Sequence, residues 1–446
     1  MTPIPVVLPS DLDLFRISEL ESKFKIEFGK SAEDGIRAPG RVNLIGEHID
    51  YMDFGVLPMA IDKDIIMIMT YEPSSLFEID FRNTDSKFKQ QLVNNLDINS
   101  KELNWINYVK SGLRGLFDEI GSPKGKVCVL VDSTLPSGAG LSSSSALVIC
   151  SIFFAYKMWS LYSKHFKIEF NAPSVNKLVQ LAIKAERFVG VKAGGMDHSI
   201  STYGQKNFAC FVEFSPQLKA NPVKLKFMEK NDPCFVVAHS NVRSDKHITA
   251  PIHYNLRVVE LRVACHFLGC LTLKEHFNKS GNFDTCRKDL EILNKDGYTM
   301  STLLELFKMT SNDFKANFHP DFDIKCDTFH PYSRAMHVFN EAERVLKAIN
   351  ATTTKEMGQL MRESQFSCKE LFDCSCPEIN QLCSMSNSEG CRLTGAGWGG
   401  CTIHLVLGKD LQTFLDSIRP FYSHSNMDEL VFVTTPSMGA CYIEFK

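Results

Sequence analysis

The feature that most constrains this chain is a glycine- and serine-rich segment between two apolar elements, residues 135–146 (LPSGAGLSSSSA), here called the serine loop. Before it, residues 126–131 are short and rich in β-branched side chains, which predicts a strand. After it, residues 146–156 form a continuous apolar run, and serines favour a helix start because their side chains cap helix N-termini. The order strand, loop and buried helix is therefore expected.

The serine loop has the chemistry of an anion site. Gly138 and Gly140 allow the backbone to approach a ligand closely, and free N–H groups at a helix start attract negative charge. The segment lacks the Gly-Lys-[Ser/Thr] ending of a Walker phosphate loop, so the lysine that contacts phosphates there is missing. A Ser/Gly linker that merely precedes a helix explains the composition equally well. Residues elsewhere in the chain are needed to distinguish an anion site from a linker.

Composition limits the possible classes of protein. A length of 446 residues predicts two or three domains, and we place a boundary after residue 205, giving units 1–205 and 206–446. Hydrophobic residues make up 44% of the chain, enough for a sizeable core. A net charge of −3 gives no electrostatic reason to expect nucleic acid or an anionic membrane as a partner.

The cellular location is predicted from the cysteines and from the apolar segments. The 15 cysteines are odd in number and several lie inside apolar runs, which indicates reduced thiols in the cytoplasm. The first nine residues contain prolines and no basic region, so no secretory signal is expected. The run after the serine loop meets Lys157 well short of the ~18 residues that a membrane span needs. We therefore expect a soluble, cytoplasmic protein.

A second polar cluster lies upstream, in residues 37–51 (RAPGRVNLIGEHIDY). Its charged side chains are crowded between proline and glycine, and carboxylates and imidazole can hydrogen-bond several hydroxyls of one polyhydroxyl ligand. Taken alone, a solvated loop with one satisfied histidine is the more ordinary interpretation.

Two acidic residues and a second glycine-rich segment follow the serine loop. Glu186 lies near the end of a helix predicted over 174–188, where a solvated helix face is the ordinary interpretation. Asp197 follows a Gly-Gly pair, which can hold it facing a ligand. Residues 392–402 (RLTGAGWGGCT) match G-x-G-x-x-G, but a strand-like run follows them where a dinucleotide site needs a helix. A tight loop packed against an active site is expected instead. With a helix over 410–422 and strands near 430–434 and 440–445, the run after it is typical of a C-terminal α+β sandwich.

Together and in this order, residues 38–51, 135–146 and 392–402 resemble the three motifs of the galactose, homoserine, mevalonate and phosphomevalonate (GHMP) kinases. Within that family, 38–51 is similar to the galactokinase signature. Residues 252–260 (IHYNLRVVE) and 374–379 (CSCPEI) are most similar to the fungal galactokinase and N-acetylgalactosamine kinase branches. The resemblance covers essentially the whole chain. It implies a two-lobed α+β fold, each lobe a mixed or antiparallel sheet packed with helices, with the active site between the lobes.

The resemblance implies transfer of the γ-phosphoryl group of ATP to the anomeric hydroxyl of galactose, with Mg²⁺ bound. Asp197 would face the attacking hydroxyl, and Arg41 would neutralise charge beside it. The residues assigned to sugar binding are Arg41, Glu47, His48, Asp50, Gly194, Asp197 and Tyr254. The residues assigned to ATP are Trp105, Gly138, Gly140, Ser142, Ser143, Ser144, Asp245 and Lys246. Mg²⁺ is assigned to Ser143 and Glu186.

Two other functions are compatible with the same motifs. An N-acetylgalactosamine kinase would differ in the space around the sugar C2 group. A transcriptional sensor would bind galactose and ATP and then contact a repressor, and such non-catalytic relatives tend to have a shortened serine loop. Residues 140–146 are full length here, which favours catalysis. His198 stands where galactokinases usually have Gln, which bears on rate and specificity rather than on the reaction class.

Overall fold

The computed structural model describes residues 4–99, 102, 104–136, 138–190, 194–243, 252–320 and 323–445. The strands in these ranges are β1 (Val6–Val7), β2 (Asp34–Ile45), β3 (Leu57–Glu72), β4 (Phe77–Asn83), β5 (Gln91–Val93), β6 (Gly125–Ser133), β7 (Phe208–Glu213), β8 (Lys219–Lys224), β9 (Pro233–His239), β10 (Tyr298–Thr299), β11 (Thr328–Phe329), β12 (Gly390–Thr394), β13 (Cys401–Leu407), β14 (Val431–Thr434) and β15 (Cys441–Glu444).

The α-helices in the same ranges are α1 (Leu14–Phe28), α2 (Trp105–Ile120), α3 (Ser143–Phe166), α4 (Val175–Ala185), α5 (Met196–Tyr203), α6 (Tyr254–Phe267), α7 (Leu273–Ser280), α8 (Phe283–Asp289), α9 (Met300–Phe307), α10 (Ser311–Phe318), α11 (Pro331–Ile349), α12 (Thr354–Glu370), α13 (Pro377–Met385), α14 (Leu411–Ile418) and α15 (Met427–Leu430). The 3₁₀ turns are Pro9–Asp11, Asp50–Met52, Glu186–Val189, Lys226–Glu229, Leu290–Ile292, Gly408–Asp410 and Arg419–Tyr422.

The larger sheet has seven strands in the order β1-β15-β2-β3-β6-β4-β5. The pairs β1–β15 and β4–β6 run parallel, and the other neighbours are antiparallel. Both faces of its centre are covered. On β3, Ile66 and Ile68 pack under α1, whereas Met67 and Met69 belong to the main core on the opposite face. The central strands are therefore largely buried on both faces, and the apolar stretch of β3 over residues 65–69 packs on both sides.

Helix α3 packs against β2 and β3 as the core helix of this layer. The apolar run was expected to stop near Lys157, but the helix continues through that residue to Phe166. Among the described residues, α3 is the one helix long and apolar enough to cross a membrane, yet 67% of its most apolar window is buried inside the molecule. Its hydrophobicity is thus satisfied by the sheet and the neighbouring helices.

The smaller sheet is antiparallel, in the order β12-β13-β9-β14. Side chains from β9 and β13 pack against α13 and α14, as Val236 and Val406 do against Leu382 and Phe414. Helix α12 packs against β12. The mixed and antiparallel sheets with their helices confirm the α+β class expected from the sequence.

The sheets do not follow the sequence division at residue 205. Strand β15 was expected in the C-terminal sandwich, but it lies between β1 and β2 in the larger sheet. Strand β7 packs on β3, and Val212 forms a bridge with Val56. Pairing between segments so far apart leaves no local signal, so the sequence analysis predicted neither the return of β15 nor the packing of β7 on β3. The functional division into 1–205 and 206–446 stays a prediction.

Candidate active site

The polar segment 37–51 is mostly strand, so the interpretation as a solvated loop is wrong. Residues 34–45 form β2, and all of them except Asp34 are buried. Because β2 lies between β15 and β3 and is covered by α3, its polar side chains are almost fully shielded, with Arg37 4% and Arg41 2% exposed. The pairing with β3 is irregular between Pro39 and Arg41 and again between Asn43 and Ile45. Such bulges change the direction of side chains, here on either side of Arg41.

Arg41 connects the catalytic candidate Asp197 to the serine loop. Its Nε donates to Oδ1 of Asp197 at 2.6 Å, and its Nη1 donates to the carbonyl oxygen of Gly140 at 2.7 Å. Arg41 is only 2% exposed, so this fork is fixed inside the protein. Asp197 reaches it from the first turn of α5, which begins immediately after Gly195.

The serine loop and the second glycine-rich segment pack against each other. Residues 395–400, the glycine loop, join β12 to β13 as a tight turn, which confirms the expectation from the sequence. A Cβ on Gly395 would lie 2.6 Å from the carbonyl oxygen of Gly140, and one on Gly400 would lie 3.0 Å from that of Ala139. Glycine is therefore required where the two backbones meet.

The end of the serine loop forms the start of α3 and contains a buried serine hydroxyl available to a ligand. Ser142 is the N-cap of α3 with φ of 61°, and Ser143 and Ser144 are the first helical residues. Gly138 and Gly140 also have positive φ. The Oγ of Ser142 is buried and has no hydrogen-bond partner among the described residues. The N–H groups and this hydroxyl are suited to an oxyanion.

Glu186 is buried at the end of α4, so the expected solvated helix face is wrong. It is 1% exposed because the chain turns there into the 3₁₀ turn Glu186–Val189, which packs beneath α2. The Oγ of Ser145 donates to both carboxylate oxygens, at 3.2 and 3.3 Å. The Nε2 of His198 lies 3.4 Å from Oε2. The sequence analysis assigned Ser143 and Glu186 to Mg²⁺ and did not identify Ser145, whose hydroxyl bonds the carboxylate.

Glu47 and His48 lie in a turn after β2 that contacts the glycine loop; residues 46–50 are here called the polar turn. Oε1 of Glu47 accepts from the backbone N–H of Gly395 at 2.7 Å. Nε2 of His48 lies 2.9 Å from the carbonyl oxygen of Ala396, so this nitrogen carries the proton. The polar turn is thus tied to the same loop that packs on Gly140.

Aromatic rings form a wall around His48. Phe372 stacks on its ring with centroids 4.6 Å apart, and Tyr254, the first residue of α6, lies 5.6 Å away. Trp398 of the glycine loop meets it edge-on at 5.6 Å. Tyr254 was expected at the sugar. Phe372 and Trp398 were missed, although Trp398 stands among the glycines of the quoted motif.

Asp50, the last residue of the polar turn, has a carboxyl whose pKa is raised far above its ordinary value. Burial, reinforced by the charges of Asp197 and Glu47, raises its pKa to about 7. Gly194 lies directly against it, and a Cβ at that position would overlap the carboxylate. Sequence analysis placed both residues at the sugar, and the structure brings them into contact.

The predicted nucleotide residues are described only in part. Trp105 begins α2 and packs edge-on against Phe81 and Phe88, at 6.3 and 6.0 Å. Asp245 and Lys246 lie outside the described residues. Arg243 was missed by sequence reasoning; it is exposed, and its Nε lies 3.6 Å from where a Cβ on Gly138 would be. The only sequence signal for it was its position close to Asp245 and Lys246, which the resemblance assigned to ATP.

The comparisons with known proteins agree with this geometry. Family models match the galactokinase galactose-binding signature at residues 22–71, the GHMP kinases N terminal domain at 107–205 and the GHMP kinases C terminal domain at 345–420. A structure of Lactococcus lactis galactokinase complexed with galactose superposes with a TM-score of 0.67 at 22% identity, covering 95% of this chain and 99% of that one. A mevalonate kinase from Methanococcus jannaschii gives 0.58 at 18% identity, covering 91% and 98%.

The two glycine-rich loops meeting above β2 thus define the class, the GHMP kinases. Among curated sequences, the galactokinase of Saccharomyces cerevisiae is 32% identical over 92% of this chain and 91% of its own length. The galactokinase of Dictyostelium discoideum is 34% identical over 96% and 94%. The chain belongs to the galactokinase family. These relatives do not favour the N-acetylgalactosamine kinase or the transcriptional sensor as the principal function.

Proposed function

We propose that this protein transfers the γ-phosphoryl group of ATP to the anomeric hydroxyl of galactose, giving galactose 1-phosphate. The observation that carries this proposal is the fork of Arg41, which bonds Asp197 on one side and Gly140 of the serine loop on the other. The carboxylate that would face the sugar is thereby joined to the loop that would hold the phosphates.

Phosphoryl transfer has a loose transition state, so positioning and charge stabilisation supply most of the catalysis. Asp197 would accept a hydrogen bond from the anomeric hydroxyl and align its oxygen with the phosphorus. The guanidinium of Arg41, held 2.6 Å from that carboxylate, would offset the negative charge shared by the carboxylate and the phosphoryl oxygens.

The sugar would bind between the polar turn and α6. Glu47, His48, Asp50, Gly194 and Tyr254 are proposed to contact it. With its pKa raised to about 7, the carboxyl of Asp50 is partly protonated at neutral pH. It can therefore donate to one sugar hydroxyl as well as accept from another, which suits a polyhydroxyl ligand.

The phosphates would lie at the N-terminus of α3. Gly138, Gly140 and the hydroxyls of residues 142–144 are proposed to contact them. The buried Oγ of Ser142, which has no hydrogen-bond partner within the described part of the chain, supports this placement. Trp105, Asp245 and Lys246 are proposed to border the nucleotide.

The residues near Glu186 fit a bound Mg²⁺, which takes hard oxygen ligands and keeps several waters. The buried carboxylate of Glu186, which accepts from the hydroxyl of Ser145 at 3.2 and 3.3 Å, is a suitable ligand. We propose that Glu186 and Ser143 hold the ion and that Ser145 orients the carboxylate. When bound, the ion would neutralise charge on the ATP phosphates.

A cytoplasmic location is part of the proposal. All 15 cysteines are free thiols in the structure, as is usual in a reducing compartment.

The direct test is ATP consumption by the purified protein with Mg²⁺ and either galactose or N-acetylgalactosamine, with the product identified by phosphorus NMR. Turnover with galactose, giving the 1-phosphate, is expected. Turnover mainly with N-acetylgalactosamine would show that the protein is an N-acetylgalactosamine kinase. Absence of turnover with either sugar, in protein that still binds galactose, would overturn the proposal.

A further inference from the structure

Helix α11 makes two hydrogen bonds to the backbone of the polar turn. The imidazole Nε2 of His337 donates to the carbonyl oxygen of Glu47 at 3.0 Å. The carboxylate Oε1 of Glu341 accepts from the N–H of Gly46 at 2.8 Å. His337 and Glu341 are four residues apart on α11 and therefore lie on one face of it, where they engage adjacent residues of the turn.

The hydrogen-bond partners fix the protonation state of the imidazole. Nε2 of His337 faces a carbonyl oxygen, so it must carry the proton. Nδ1 then accepts from the Oγ of Ser367, on α12, at 2.8 Å. The ring is fully buried, and burial lowers the pKa of His337 to about 4, so it is neutral near pH 7.

Glu341 is held as firmly. Ser364 of α12 donates to its Oε1 at 2.7 Å, and Arg344 donates to its Oε2 at 2.8 Å. Burial acts to raise the pKa of Glu341, but the charges of Arg344 and Arg392 outweigh it and lower the pKa to about 2. The carboxylate is therefore ionised and makes a charge-assisted bond to the turn.

The backbone of the polar turn needs such support. Gly46 has φ of 115°, and His48, which is not glycine, has φ of 60°. Residues persist in this left-handed region only where the surroundings determine the conformation. Contacts from the glycine loop reach the side chains of Glu47 and His48, whereas α11 holds peptide groups.

We propose that His337 and Glu341 are positioning residues that hold the polar turn in its galactose-binding form, so that a helix outside the sugar site sets the affinity for the sugar. The inference rests on the proposed assignment of Glu47, His48 and Asp50 to the sugar. It predicts an effect confined to galactose, because α11 makes no described hydrogen bond to the serine loop.

The test compares His337→Leu with His337→Gln in the full chain. Leucine fills the space but has no donor, whereas the glutamine side-chain amide can donate toward the carbonyl of Glu47. We expect His337→Leu to raise the KM for galactose and its Kd, measured by calorimetry, about tenfold, as one lost hydrogen bond predicts. The KM for ATP should change less than about twofold, and His337→Gln should recover most of the galactose affinity.

Phe339→Leu is the matched control, since it trims a fully buried ring on the same helix that packs against Phe54. It should lower the Tm without changing the KM for galactose. If His337→Leu behaves like this control, the inference is overturned. If His337→Leu does not fold, Ser367→Ala tests the inference instead, because it removes only the hydroxyl that donates to Nδ1 of the imidazole. A raised KM for galactose in Ser367→Ala supports the inference, and an unchanged one overturns it.

A separate variant distinguishes failure of the inference from failure of the site assignment. Glu47→Gln should itself raise the KM for galactose. If it does not, the polar turn is not the sugar site and the assignment fails. If it does while the His337 variants have no effect, only the positioning role fails.

Discussion

Arg41 and Asp197 form a hydrogen-bonded ion pair of 2.6 Å between β2 and the first turn of α5. The same guanidinium donates to the backbone of the serine loop at Gly140. One side chain therefore joins three segments that are distant in sequence: β2, the serine loop and the start of α5.

Replacing Asp197 by asparagine should abolish turnover. The amide preserves the shape and one contact to the sugar hydroxyl but removes the negative charge that Arg41 pairs with. Galactose affinity, measured by calorimetry, should stay within about tenfold of the wild-type value, because only one contact changes character. Measurable turnover by purified Asp197→Asn would contradict the catalytic assignment.

Arg41→Lys should lower kcat by about 10²-fold or more, the usual loss when a donor to developing charge is removed. A lysine ammonium lacks the planar fork, so it cannot reproduce the two directed bonds to Asp197 and Gly140. Arg82→Lys, at a surface ion pair with Glu27, is the control and should leave kcat unchanged. Equal kcat values for the two variants would remove Arg41 from the mechanism.

Asp50 should make the free energy of unfolding depend on pH. Its native pKa is about 7 against an ordinary 3.8, so the native carboxyl keeps its proton where the unfolded chain has lost it. As pH rises from about 4 to about 7, this group therefore destabilises the wild-type protein, with a slope of at most about 1.4 kcal/mol per pH unit.

Asp50→Asn has no proton to lose, so its stability relative to wild type should increase across that interval. Urea unfolding at several pH values measures the difference, with Asp416→Asn on the surface as the control. A difference between Asp50→Asn and wild type that is independent of pH would show that the native pKa is ordinary.

Glu186→Gln should raise the Mg²⁺ concentration needed for half-maximal activity by about tenfold or more, since a ligand charge is lost. Ser145→Ala should produce a smaller increase, because it removes only the hydroxyl that orients the carboxylate. Calorimetric titration of Mg²⁺ with bound nucleotide gives a readout separate from turnover. Ser151→Ala, which removes a hydroxyl that donates to the Leu147 carbonyl within α3, should change neither. Unchanged Mg²⁺ affinity in Glu186→Gln would refute the metal assignment.

Local patterns predicted much of the fold around the site. The strand, serine loop and helix at β6 and α3 occur where β-branched, glycine-serine and apolar composition indicated them. The glycine loop was also expected as a tight turn, because a strand-like run follows it. In each case the signal lies within a few residues of the structure it produces.

The rest depends on contacts between distant segments. Glu186 was assigned locally to a solvated face, and nothing near it in sequence indicates the hydroxyl of Ser145 that it meets. Residues 37–45 were interpreted locally as a loop, because polar residues, glycine and proline are rare in central strands. In the structure they belong to β2, which lies between β15 and β3. His337 and Glu341 gave no signal at all, since their partners are backbone groups of the polar turn.

Strand β15 lies between β1 and β2, so its neighbour in the sheet was synthesised almost the whole chain earlier. While the ribosome is still making the intervening residues, the edge of β2 that later pairs with β15 has no strand beside it. Such edges recruit other strands, and a nascent chain in this state needs protection from aggregation. β15 pairs with residues 34–37, so its arrival closes the edge of the strand that carries Arg41 four residues further on.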